Sequence, residues 1–168
     1  LPVDVQFSIG ELVRSMSEGM AWSTEVFARQ GGVLVDADQV ARYCRNVIGN
    51  PALFLLRLVV GAKPSQDMRR DALAVSEMVQ LANVTRDIET DLVRGVAYHA
   101  ALKPYLGEAG NGDARNETVR QVREEFLGLA LRRVSSYRRL FEGVGSYLTA
   151  AARVAAVLML LFTDLQIG

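Results

Sequence analysis

Two aspartates, Asp87 and Asp91, stand four residues apart in the segment QLANVTRDIETDLVRG, Gln80 to Gly95. In a helix they lie one turn above each other, where like charges repel at a cost of roughly 0.2–0.5 kcal/mol. At about 100° per residue, Gln80, Asn83 and Arg94 share their stripe. Apolar Leu81, Val84 and Ile88 flank it. Three readings fit this spacing: a solvated helix face, an ion-pair stripe linking Asp91 to Arg94 and Arg86 to its neighbours, and a divalent-cation site. The last has a chemical motive. Mg²⁺ takes hard oxygen ligands, and proteins commonly supply one or two carboxylates while phosphates and water complete the octahedron. A cation shared between the two carboxylates would also cancel their repulsion. Spacing alone leaves all three open.

The elements that must carry this row read as helices. A first helix is expected from about Ser8 to Arg29, with Ser8 as N-cap and Glu11 completing a capping box, ended by Gly31-Gly32. Asp36 or Asp38 can cap a second through QVARYCRNVIGNPALFLLRLVVG, kinked at Pro51, which lacks a backbone donor. After the breaker GAKPSQ, a third spans about Asp67 to Arg94, rich in Ala, Leu, Met and Arg. A long connection, Gly95 to Asn116, is of the kind that is often functional or mobile. A fourth helix is expected over about Glu117 to Phe141 and a fifth over about Ser146 to Asp164. No strand alternation and no internal repeat is visible. The fold class is all-α.

Composition narrows the partners. The 168 residues suit one domain with a real core, half of them are hydrophobic, and 19 basic residues balance 19 acidic ones. A neutral chain of this kind offers no polyanion-binding surface, so nucleic acid is not an expected partner. The single cysteine, Cys44, excludes an internal disulfide and reads as packing. The start, LPVDVQFSIGEL, lacks a signal-peptide pattern and an initiator Met, so the chain reads as a processed or partial product. The apolar runs ALFLLRLVVGA and VAAVLMLLF fall short of the ~18 residues of a membrane span. They read as core helices, with peripheral contact to lipid or a partner as the alternative. Leu53, Phe54, Leu56 and Val59 are core or cavity candidates, and His99, the only histidine, reads as incidental.

The whole string says more than its spacing. QLANVTRDIETDLVRG resembles the second aspartate-rich signature of the squalene/phytoene synthase family, Q-L-T-N-I-L-R-D-x-x-E-D-x-x-R-G, matching at Gln80, Leu81, Asn83, Arg86, Asp87, Asp91, Arg94 and Gly95. Upstream, YCRNVIG at Tyr43 to Gly49 is similar to the family's Y-C-x-x-V-A-G, and SMSEGM, ending at Met20, to its L-I-D-G-M. The resemblance implies an all-α isoprenoid-synthase-type bundle around a central cavity, joining two prenyl diphosphates head to head through a cyclopropyl intermediate. It implies that Asp87 and Asp91 hold Mg²⁺ against a diphosphate, that Gln80 and Asn83 line the same wall, and that Arg86 and Arg94 face the diphosphate. Arg86 would do so from off the aspartate stripe. Tyr43 corresponds to the tyrosine near the reacting carbons.

The chain also departs from the pattern. Its acids before Tyr43 (Asp4, Glu11, Glu18, Glu25, Asp36 and Asp38) form no first D-x-x-x-D, so residues 1–168 read as the C-terminal two-thirds of such a domain. Val96 replaces an expected arginine, GNPALF replaces G-x-V-G-x-x, and Phe162 stands near a family tyrosine. The resemblance also implies a second reading, which the missing first motif, Val96 and the altered Pro51 segment favour: a non-catalytic relative, similar to a mitochondrial branch of the family, acting as an assembly factor or scaffold in a protein complex. The basic amphipathic segment VRQVREEFLGLALRRVSSYRRLF would then serve for docking. The enzyme reading implies a cytoplasmic or membrane-associated location, the scaffold reading a mitochondrial one.

Overall fold

The computed structural model describes residues 3–61, 63–110 and 112–149, and within them the chain is helical. In order come α1 (Val3–Gln30), α2 (Ala37–Cys44), a π-helical turn (Arg45–Gly49), α3 (Asn50–Val60), α4 (Gln66–Val93), a 3₁₀ turn (Ala100–Tyr105), α5 (Asp113–Leu131) and α6 (Val134–Val144). No strand is formed among the described residues; Val33 and Ala97 make an isolated bridge. The expected all-α class holds. Nor is any described helix long and apolar enough to cross a membrane. The helix expected over Ser146 to Asp164 lies, beyond Thr149, outside the described residues, as does Phe162.

The centre is α4. Its N-cap is Ser65, whose hydroxyl accepts from the Met68 amide, and its apolar residues Leu81, Val84, Ile88 and Leu92 are almost wholly buried. Against them pack Val119, Val122, Phe126 and Ala130 of α5, together with Val26, Val40 and Cys44. Burial pushes the Cys44 thiol up to about 12, with nearby Glu77 adding to the effect. It therefore stays protonated and serves as packing.

Side chains bind α4 to the two helices that run back along it. Arg123 donates to the Thr85 carbonyl, Arg133 to Glu77 at 2.9 Å, and Arg139 to both oxygens of Asp71 at 3.1 and 2.7 Å. This antiparallel ladder explains why the fourth expected helix is two. The α-helical hydrogen-bond pattern is interrupted by a tightened turn at Arg132–Arg133, and α6 beyond it carries Arg139 to the buried Asp71. The Arg139 hydrogen bonds hold the Asp71 carboxyl below its ordinary 3.8, against the opposing effect of burial. A carboxylate with a depressed folded pKa adds stability that is present above the unfolded pKa and lost as pH falls through the folded one. In thermal melts the midpoint should therefore fall as pH drops below about 4. Arg139→Gln should flatten that fall and lower the midpoint at neutral pH; an unchanged acid slope would count Asp71 out.

Three boundaries differ from expectation. Helix α1 begins at Val3, so Ser8 is not its cap, and Glu11 pairs with Arg57 of α3 instead of closing a capping box. The second helix is interrupted not at Pro51 but by the π-turn before it; Pro51 sits in the first turn of α3, where its missing N–H is not needed. Asp36, not Asp38, caps α2 by accepting from the Gln39 amide. Of the four apolar candidates there, Leu56 is buried and Val59 exposed.

The connection from Gly95 to Asn116 is pinned where it leaves α4. The Leu34 amide donates to the Ala97 carbonyl at 2.9 Å, the Ala97 amide to the Gly32 carbonyl at 2.8 Å, and the Gly107 amide to the Leu92 carbonyl at 2.8 Å. Gly32 allows this approach: its φ is +89°, and an added Cβ would lie 2.1 Å from the Gly95 carbonyl oxygen. Gly32→Ala should therefore cost more than about 1 kcal/mol, both from left-handed strain and from displacing the Gly95–Ala97 segment. A thermal midpoint matching the wild type would show that the approach is not needed.

Candidate active site

The polar row along α4 runs from a buried Gln80 to an exposed Arg94. Gln80 is buried, Asn83 is half-buried and donates to the Gln80 amide oxygen at 3.4 Å, and the Arg94 side chain is largely exposed. Between them the Asp91 side chain is 17% exposed and the Asp87 side chain 42%. The five polar residues thus follow one edge of the helix, beside the apolar face that packs the core.

The two carboxylates have different company. Asp87 is gripped by its neighbour Arg86 through two parallel bonds of 2.8 and 2.7 Å. The bonds from Arg86 hold the Asp87 carboxyl below the usual carboxylate range. Asp91 lies 3.6 Å from Arg94 and accepts from the Tyr98 hydroxyl at 3.2 Å. In this arrangement the ion-pair reading of the row describes both acids. Arg86, expected off the stripe, reaches back onto it because its side chain is long enough to span the difference.

Those arginine contacts bear on whether a cation fits. The Arg86–Asp87 pair is open to solvent on both sides, and exposed pairs are worth about 0–1 kcal/mol, little against a divalent cation. Among the described residues no three His, Cys, Asp or Glu side chains gather into a metal-holding group. Such a site suits Mg²⁺ only in the manner it commonly adopts, two protein carboxylates with phosphate oxygens and water completing the shell. The donor set fits that use.

Aromatic side chains adjoin the Asp91 end. Tyr43 from α2 approaches Tyr98 with hydroxyls 3.5 Å apart and ring centroids 5.2 Å apart, and Phe27 of α1 meets both rings edge-on at 6.1 and 6.0 Å. Tyr98 is buried, and burial, followed by its contact with Tyr43, raises its pKa well above the ordinary phenol value. It therefore stays a hydrogen-bond donor. The structure thus joins Tyr43 to Asp91 through a residue that sequence reasoning had left without a role. Its position, three residues past the glycine that ends the motif, was the available signal. Phe27 had none.

In a comparison with known families, a squalene/phytoene synthase family model matches residues 6–164. The chain belongs to the squalene/phytoene synthase family. Its fold is accordingly the all-α isoprenoid-synthase fold. Neither the curated proteins nor the solved structures contain a match. The segment Gln80 to Gly95 lies on α4 and the turn that ends it, and Tyr43 to Gly49 spans the α2–π-turn junction.

Proposed function

We propose that this squalene/phytoene synthase family member is a Mg²⁺-dependent prenyltransferase that joins two prenyl diphosphates head to head, and that residues 1–168 correspond to the C-terminal two-thirds of its domain. The observation carrying this reading is the meeting of Asp91, Tyr98 and Tyr43 at one end of a helix that also bears Asp87. A chain holding only a solvated helix face would have no reason to link its acid, through Tyr98, to a tyrosine on another helix.

In this reading Asp87 and Asp91 hold Mg²⁺ against the diphosphate. The cation supplies Lewis-acid neutralisation of the leaving group's growing charge. The chain's own side chains do the rest. Arg86 exchanges its grip on Asp87 for a diphosphate oxygen; its fork of donors matches either anion. The Gln80–Asn83 amide pair lines the same wall, and Arg94, largely exposed, reaches the diphosphate from the far end of the row. Phe27 and the rings of Tyr43 and Tyr98 shield the adjoining space from water that would quench a carbocation.

The test is incubation with Mg²⁺ and farnesyl or geranylgeranyl diphosphate. Pyrophosphate should be released, and Asp87→Asn should abolish the release. A protein that is inert, yet sits in a larger complex that survives Asp87→Asn, would instead establish the scaffold reading.

A further inference from the structure

We propose that Tyr98 is a positioning residue of this site, fixing the Asp91 carboxylate and holding the Tyr43 hydroxyl so that its oxygen faces the site only as an acceptor. The inference rests on the proposed function for its catalytic meaning, but its geometry is independent of it.

The direction of each bond follows from counting protons. A phenol carries one proton and two acceptor lone pairs, whereas a carboxylate only accepts. At 3.2 Å the Tyr98 proton therefore goes to Asp91. That leaves the Tyr98 oxygen able only to accept at the long, 3.5 Å contact, so any hydrogen bond between the two hydroxyls is donated by Tyr43. While its single proton points to Tyr98, Tyr43 offers a ligand its lone pairs. It is suited to take a proton or to stand beside a positive centre, not to donate.

Tyr98 has little freedom to do otherwise. Its ring is wedged between Phe27 and Tyr43, and the residue before it is locked to Gly32 and Leu34 by two backbone bonds. Only 7% of the residue reaches solvent, so water is a poor substitute for either partner. The bridge of Val33 and Ala97 thus has a use: it sets the height at which this hydroxyl meets α4.

Tyr98→Phe removes the hydroxyl and keeps the ring. In protein labelled with tyrosine ¹³C at the ring carbon bearing oxygen, the Tyr43 resonance should move in Tyr98→Phe. It should also move in Asp91→Asn, which changes the acceptor at the far end of the chain. A Tyr43 resonance unaltered in both variants would overturn the inference. With prenyl diphosphate and Mg²⁺, Tyr98→Phe should lower kcat on the order of tenfold, about the effect of one hydrogen bond, with little change in KM. An unchanged kcat would also overturn it. If the wild type releases no pyrophosphate, the proposed function fails while the Tyr43 resonance still decides the role of Tyr98.

Discussion

Asp91→Asn is expected to reduce Mg²⁺-dependent pyrophosphate release by roughly 10²–10³-fold, the range seen when one electrostatic contact to a developing charge is removed. The substitution is close to isosteric, and its amide oxygen can still accept from Tyr98, so the helix and the aromatic cluster should persist. What disappears is the negative charge. With Asp91 neutral, half of the charge available to a bridging cation is gone, and the remaining Asp87 is the more exposed member and the one gripped by Arg86 through two bonds. The decrease should appear mainly in kcat, because the charge matters most as the leaving group separates. Circular dichroism of the variant should match the wild type. Activity within a few-fold of wild type would mean that Asp91 serves only Arg94 and Tyr98.

A second large effect concerns stability. Phe126 on α5 is among the largest fully buried side chains and belongs to the core that holds α4. Phe126→Ala should cost about 3–5 kcal/mol, from the lost transfer free energy together with the cavity left where helices cannot close in. That is a large share of the ordinary 5–15 kcal/mol, and in a domain of this size it lowers the thermal midpoint by roughly 6–20 °C. The packing reaches the site indirectly. Its ring meets His99 edge-on at 6.2 Å, one residue beyond Tyr98. Loosening α5 should therefore lower activity at temperatures well below the unfolding transition. A midpoint within two or three degrees of wild type would show that the neighbouring side chains collapse into the space.

The comparison of sequence and structure separates local from distant causes. Helix α4 was legible almost to the residue, Asp67 to Arg94 expected against Gln66–Val93 found. Its composition and the breaker GAKPSQ before it are local to its own segment. The same holds for the end of α1 at Gly31-Gly32, where the glycines adopt positive φ. Misread features had partners far along the chain. Glu11 pairs with Arg57, 46 residues away, and the break before α6 serves a contact between Arg139 and Asp71, 68 residues apart. Local signals carry no record of such pairings. The π-turn after Tyr43 is similar: its sequence, RNVIG, is compatible with ordinary α-helix, and Pro51 drew attention to the wrong residue.

At the site the division repeats. The row on α4 was visible because all its members share one helix. The Arg86 grip on Asp87 was less so, since adjacent residues on a helix do not ordinarily face each other. Tyr98, 55 residues from Tyr43 and seven from Asp91, joins them only because the Gly32–Ala97 pairing returns the chain to the helix it has just left. Its role needed coordinates.

The account depends on Asp87 and Asp91 gripping a divalent cation and, through it, a diphosphate. Calorimetric titration of inorganic pyrophosphate into the protein, with and without Mg²⁺, reads this without requiring turnover. Saturable binding should appear only when Mg²⁺ is present and should weaken at least tenfold, about 1.4 kcal/mol, when both aspartates are changed to asparagine. Binding that ignores the metal, or that persists undiminished in the double variant, would contradict the account.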